Sequence, residues 1–131
     1  MKPIIPVLAV AAILLAGCMT TAPPVTGGYT DVTAAAAKEL IDTTPGLVII
    51  DVSPMYAQGH IPGALNYYVG DGSLDAAIPT LDPNASYLVY CHTDTASIQG
   101  AQNLVDAGFT NVYRLEGNFA AWVDVGYPVE T

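Results

Sequence analysis

Basic residues are almost missing from this 131-residue chain: Lys2, Lys38 and Arg114 stand against 12 acidic residues, for a formal charge of −9. Three bases cannot build a cationic patch, which excludes nucleic acid as a partner. Cysteine is scarce as well, and two in 131 residues exclude a disulfide-stapled scaffold. Charged residues make up only 11% of the chain and hydrophobic ones 52%, so it is no disordered acidic tail. No uncharged apolar run approaches the roughly 20 residues that span a bilayer. The length suits one well-cored domain and falls short of two.

The apolar stretch that does occur lies at the start. Met1-Lys2 gives a short positive segment, and Ile4 to Ala16 then runs without a charge. Too short for a membrane helix, the run fits the hydrophobic region of a secretory leader. It closes on Leu15-Ala16-Gly17-Cys18, which resembles the lipobox of secreted lipoproteins. That resemblance implies a lipoprotein signal peptide over residues 1–17 and lipidation at Cys18. A mature chain beginning at Cys18 would carry more than one acyl chain, enough for stable anchoring. Its remaining two bases against 12 acids would be repelled by an anionic surface, so lipid rather than charge would hold it there. The expected location is the extracytoplasmic face of the cell membrane. Residues 18–28, rich in Pro, Gly and Thr, read as the lipidated cysteine and a flexible tether. Residues 29–131 form the domain, expected to be a monomer because no long apolar surface stripe calls for an obligate assembly.

Along that domain, strand and helix signals alternate. Thr33 is placed to cap a helix with Ala34, Ala37, Leu40 and Ile41 on its apolar face, and Pro45-Gly46 breaks it. Leu47-Val48-Ile49-Ile50 and Tyr87-Leu88-Val89-Tyr90 are continuous apolar runs, as in strands buried on both faces. Ile98, Ala101, Leu104 and Val105 repeat at helical spacing, with Ser97 as the expected cap and Gly108 as the stop. Val112 to Leu115 is a third strand, and Asn118 is expected to cap a last helix through Trp122. Strands joined through helices predict an α/β fold: an open, mostly parallel sheet flanked by helices on both faces. Ligands in such sheets sit beyond the carboxyl ends of the strands, where Asp51, Cys91 and Glu116-Gly117 fall.

With Cys18 lipidated, Cys91 has no partner in the chain, which leaves either a buried apolar residue or a nucleophile. Cys91-His92-Thr93-Asp94-Thr95-Ala96-Ser97 joins a buried strand to a helix start. Backbone N–H groups of such a loop can turn inward into an anion-binding nest, and the helix terminus adds positive potential. Both favour anionic sulfur. This segment resembles the active-site loop of the rhodanese (sulfurtransferase) family. Asp51-Val52 with Gly59-His60-Ile61-Pro62-Gly63-Ala64 is similar to a first family signature. Gly108-Phe109, Val112, Leu115-Glu116-Gly117, Ala121-Trp122 and Gly126-Tyr127-Pro128-Val129 are similar to a closing one. The likeness spans about Tyr29 to Glu130.

The resemblance implies that Cys91 is the catalytic nucleophile, accepting a sulfane sulfur, holding it as a persulfide and passing it to a thiol acceptor, with no cofactor. It implies that the amides of His92, Thr93, Asp94, Thr95, Ala96 and Ser97 form the substrate-binding loop, with the Ser97 hydroxyl donating to sulfur. His60 is read as a polar hinge of its turn, and Trp122, Tyr67, Tyr68 and Tyr90 as core. A metal site from Cys91, His92 and Asp94 is disfavoured, since zinc needs more ligands.

Three departures from the family stand out. His92 and Ala96 occupy positions where many active members carry a basic residue and an arginine. Asp94 stands where glycine is frequent, and Ser53 where arginine is common, in a stretch before Gly59 that looks about two residues short. A helix terminus contributes up to about 2 kcal/mol to an anion. A carboxylate roughly 6 Å from the sulfur would oppose it by about 2.8 kcal/mol at an effective dielectric near 20. The fate of Asp94 therefore decides whether the nest works. With no arginine expected near the loop, a dianion such as thiosulfate should be a poor donor and a persulfide or polysulfide a better one. The alternative is a catalytically impaired binding or sensing module of the same fold.

Overall fold

The computed structural model describes residues 28–131, so the expected leader, the Cys18 lipidation site and most of the tether lie outside the described residues. Its centre is a five-stranded sheet in the order β1-β5-β4-β2-β3, every pair parallel. The strands are β1 (Thr30–Val32), β2 (Val48–Asp51), β3 (Leu65–Asn66), β4 (Ser86–Tyr90) and β5 (Asn111–Leu115). Three helices lie between strands, α1 (Ala34–Thr43), α2 (Ser73–Ala77) and α3 (Asp94–Asp106), and α4 (Asn118–Asp124) follows the last strand. The expected α/β class with an open parallel sheet is borne out.

Both faces of the sheet are covered, which is why the central strands read as unbroken apolar runs. On one face Ile50, Val52, Val89, Cys91 and Val112 pack with Leu74 of α2 and with Ala101 and Leu104 of α3. On the other, Ile49, Leu88, Tyr90 and Leu115 pack with Ala34 and Ala37 of α1 and Trp122 of α4. Thr33 caps α1 as expected, its Oγ1 accepting from the Ala36 amide at 3.2 Å.

Two helix starts differ from expectation. α3 begins at Asp94, one turn earlier than a Ser97 cap would allow, so Asp94 to Ser97 form its first turn and not a loop. Asn118 does not cap α4; its backbone is left-handed at φ 57°, and its side chain turns toward the end of β4. Short elements carry no periodicity to read, and β1, β3 and α2 emerge only in the fold. No described helix is long and apolar enough to cross a membrane.

Candidate active site

β2 and β4 run side by side, with Asp51 level with Tyr90, so their carboxyl ends bring Asp51 and Cys91 to one edge of the sheet. Strand alternation then separates them. Cys91 faces the α3 side, whereas Asp51 faces the side of α1 and α4, beside Tyr90. The Asp51 Oδ1 accepts from the Ser53 amide at 2.8 Å, and its Oδ2 is buried without a partner among the described residues. Burial, and then the charge of Asp51, push the Tyr90 phenol well above its ordinary range. Its oxygen accepts from the Ile61 amide at 2.9 Å, fastening the His60 turn to the sheet. His60 is buried, stacked on Tyr56 with centroids 3.7 Å apart, and exchanges backbone bonds with Glu130. It pins the C-terminal tail.

Cys91 is recessed, only 2% exposed, with Ala96 packed against its apolar cluster. Its amide donates to Asn118 Oδ1 at 3.1 Å, and its carbonyl accepts from the Phe119 amide at 3.0 Å. The start of α4 thus clamps the cysteine backbone on both sides. Among the described residues the sulfur has one hydrogen-bond partner, Thr93 Oγ1 at 4.0 Å. The amides of His92, Thr93, Asp94, Thr95 and Ala96 donate to no group among the described residues, the sulfur included; Ser97 N–H is committed to the Thr93 carbonyl. Five free donors therefore cluster where a turn enters a 13-residue helix, the arrangement that binds anions. The His92 ring packs on Phe119 at 4.7 Å, with its Nε2 buried and unpartnered among the described residues.

Ser97 has a different role from the one expected. Its hydroxyl donates to the Asp94 carbonyl at 3.1 Å and accepts from Arg114 Nη1 at 3.1 Å, leaving no proton for the sulfur.

Asp94 resolves the electrostatic question in an unforeseen way. Its side chain is largely exposed, yet its carboxylate is tied to two neighbours. Oδ1 accepts from Asn118 Nδ2 at 2.6 Å and from Arg114 Nη1 at 3.2 Å. The expectation that no arginine lies near the loop is corrected here. Arg114 rises from β5 on the α3 face, buried, and its Nε donates to Asp31 Oδ1 at 2.7 Å. That bond to Asp31, more than any other influence, raises the guanidinium above its ordinary value and keeps it cationic against the cost of burial. Set between two carboxylates, Arg114 leaves the trio with one net negative charge and offers none to a ligand. The sequence signal for it was an arginine inside an otherwise apolar strand, since a buried charge needs a partner. Asn118 gave no comparable signal, because its partners lie 24 and 27 residues away.

A profile of the rhodanese-like domain family matches residues 33–124. The chain is 37% identical over 87 residues to the thiosulfate sulfurtransferase GlpE of Pseudomonas fluorescens, covering 65% of this chain and 77% of that protein. It is 30% identical over 105 residues to the thiosulfate sulfurtransferase GlpE of Actinobacillus pleuropneumoniae serotype 5b, covering 79% and 94%. Among solved structures, the rhodanese-like domain of an Anabaena protein superposes with a TM-score of 0.69 at 32% identity, covering 76% of this chain and 77% of that one. Family profile, relatives and superposition agree: the chain belongs to the rhodanese-like domain family.

Proposed function

We propose that this protein is a sulfane-sulfur carrier, a sulfurtransferase that works through a persulfide on Cys91. The observation that carries the reading is the set of five free amides beside a cysteine at the carboxyl end of β4, on a chain whose relatives are named sulfurtransferases. The Cys91 thiolate attacks the outer sulfur of a persulfide, R–S–SH. A new S–S bond forms at Cys91, the donor's S–S bond breaks, and the donor leaves as R–S⁻ with the electron pair. An acceptor thiolate then attacks the outer sulfur of the Cys91 persulfide, and Cys91 leaves as thiolate. No net oxidation occurs, and the amides stabilise the anionic sulfur at each stage.

Persulfides or polysulfides suit this site better than thiosulfate. The guanidinium near the loop is consumed by Asp31 and Asp94, so among the described residues no free cationic side chain adds to the amides in compensating a dianion. The Leu15-Ala16-Gly17-Cys18 segment supports the further reading that the protein is lipid-anchored on the extracytoplasmic face of the membrane. That part is tested by fractionation: replacing Cys18 with Ser should move the protein from the membrane to the soluble fraction, and retention in the membrane would refute it.

The near-complete burial of Cys91 favours a second reading, a binding or sensing module without turnover. Intact mass after incubation with polysulfide separates the two. A gain of one sulfur that disappears in Cys91→Ser supports the carrier, and no adduct points to the module.

A further inference from the structure

Asp94 opens α3, and a carboxylate there is drawn to the same free amides that an anionic donor needs. Its side chain is 67% exposed, so packing does not hold it. Two bonds to Oδ1 do: Asn118 at 2.6 Å and Arg114 at 3.2 Å. Arg114 in turn is anchored from below by Asp31, its register partner on the edge strand β1, and by Ser97. A leucine or methionine would fill this buried position without the desolvation cost of a guanidinium. The charge itself therefore calls for a role.

We propose that Arg114 is a positioning residue: by holding the Asp94 carboxylate in a bond to itself, while none of the free amides donates to that carboxylate, it determines which charge of reagent can reach Cys91. The guanidinium acts on Asp94 and not on the donor, because Asp31, Asp94 and Ser97 already occupy it. The charged groups of this network are Asp94 on α3, Arg114 on β5 and Asp31 on the edge strand β1; His92 lies in the turn, and α4 contributes the neutral Asn118 and Phe119. Asp51 of β2 looks to the opposite face. Without Arg114, Asp94 would be the nearest uncompensated charge, and it would compete with any anion for the amides of Thr93, Asp94, Thr95 and Ala96. The inference rests on Cys91 being the reacting group, and it adds a determinant of donor charge.

The test compares alkylation of Cys91 by iodoacetate, an anion, with that by neutral iodoacetamide, read by peptide mass mapping. A purely structural defect slows both reagents together, whereas an electrostatic one changes their ratio. Arg114→Met should lower the iodoacetate-to-iodoacetamide ratio about fivefold, the order expected of one uncompensated charge near a protein surface. In an Asp94→Asn background the same substitution should change the ratio by less than about twofold. Equal slowing of both reagents, or a drop in the ratio that persists with Asn at position 94, overturns the proposal. Should Arg114→Met show no cooperative melting, Arg114→Lys serves: a single ammonium cannot hold Asp31, Ser97 and Asp94 at once, so the ratio should fall about twofold and recover with Asp94→Asn, and an unchanged ratio overturns it. If Cys91 of the parent protein takes up no sulfur from polysulfide, the carrier reading fails, while the alkylation ratio still decides the role of Arg114.

Discussion

Replacing Asn118 with Ala removes three features at once, and each has a separable magnitude. The buried Cys91 amide loses its acceptor at 3.1 Å, and an unsatisfied buried donor costs about 1–3 kcal/mol. The bond to Asp94 at 2.6 Å also goes, but that carboxylate is largely exposed, so water replaces most of its value. Finally, Asn118 sits at φ 57°, a left-handed conformation that costs a side chain without asparagine's local bonding about 1–2 kcal/mol. Together these predict a loss of about 3 kcal/mol for Asn118→Ala. Asn118→Gly loses the same bonds but carries no backbone strain, so it should cost about 1 kcal/mol less. Urea unfolding measures both, with the midpoint shifting and the slope unchanged. The sulfur-loading rate measured alongside should fall in both variants, since the cysteine backbone has lost its clamp. An Asn118→Ala protein within about 0.5 kcal/mol of wild type would refute the reasoning, as would a Gly variant less stable than the Ala one.

Three more outcomes follow from the same geometry. Tyr90 is neutral in the folded state at a pH where an unfolded tyrosine, with a pKa near 10, ionises. Its contribution is therefore complete below about pH 10 and is lost as the pH rises further. Tyr90→Phe should be about 1–3 kcal/mol less stable at neutral pH, because the Ile61 amide loses its acceptor, yet should decline less steeply in urea titrations above pH 10. Some slope will remain, because burial also raises the Tyr87 phenol; an undiminished slope would contradict the assignment. Ala96→Arg places a free guanidinium against the Cys91 cluster and should raise thiosulfate turnover at least tenfold, about 1.4 kcal/mol of barrier. If Asp94→Gly raises it and Ala96→Arg does not, the carboxylate and not the missing cation is the main defect. Gly117→Ala should destabilise by about 2 kcal/mol or more in thermal melts, since the residue lies at φ 78° and a Cβ there would meet Ala121 Cβ at 2.7 Å.

Much of the fold was legible because the sheet is buried on both sides. Val48–Asp51 and Ser86–Tyr90 stand as central strands with helices on either face, so Val48 to Ile50 and Tyr87 to Tyr90 within them are apolar throughout. The edge strands escaped for the converse reason: Thr30–Val32 and Leu65–Asn66 are short, partly exposed and carry no alternation long enough to detect. The position of Cys91 at a strand end was also readable. What surrounds it was not. Ser97 looked like a cap because hydroxyl residues favour that place, but helix α3 starts one turn earlier, and the hydroxyl is drawn to Asp94 and Arg114. The Asp31–Arg114 pair links residues 83 apart in sequence, and it forms only because β1 and β5 become neighbours in the sheet. Such closures depend on the register of strands that local pattern does not specify.

Handing sulfur onward tests the central claim most directly. The protein is loaded with a stoichiometric amount of polysulfide, freed of excess reagent and given a small thiol, and both products are followed by mass. The account predicts that Cys91 returns to its unmodified mass while the thiol gains one sulfur per protein, and that thiosulfate in place of polysulfide loads the site far more slowly. A Cys91 adduct that forms but does not leave, or a site that loads equally well from thiosulfate, would contradict it.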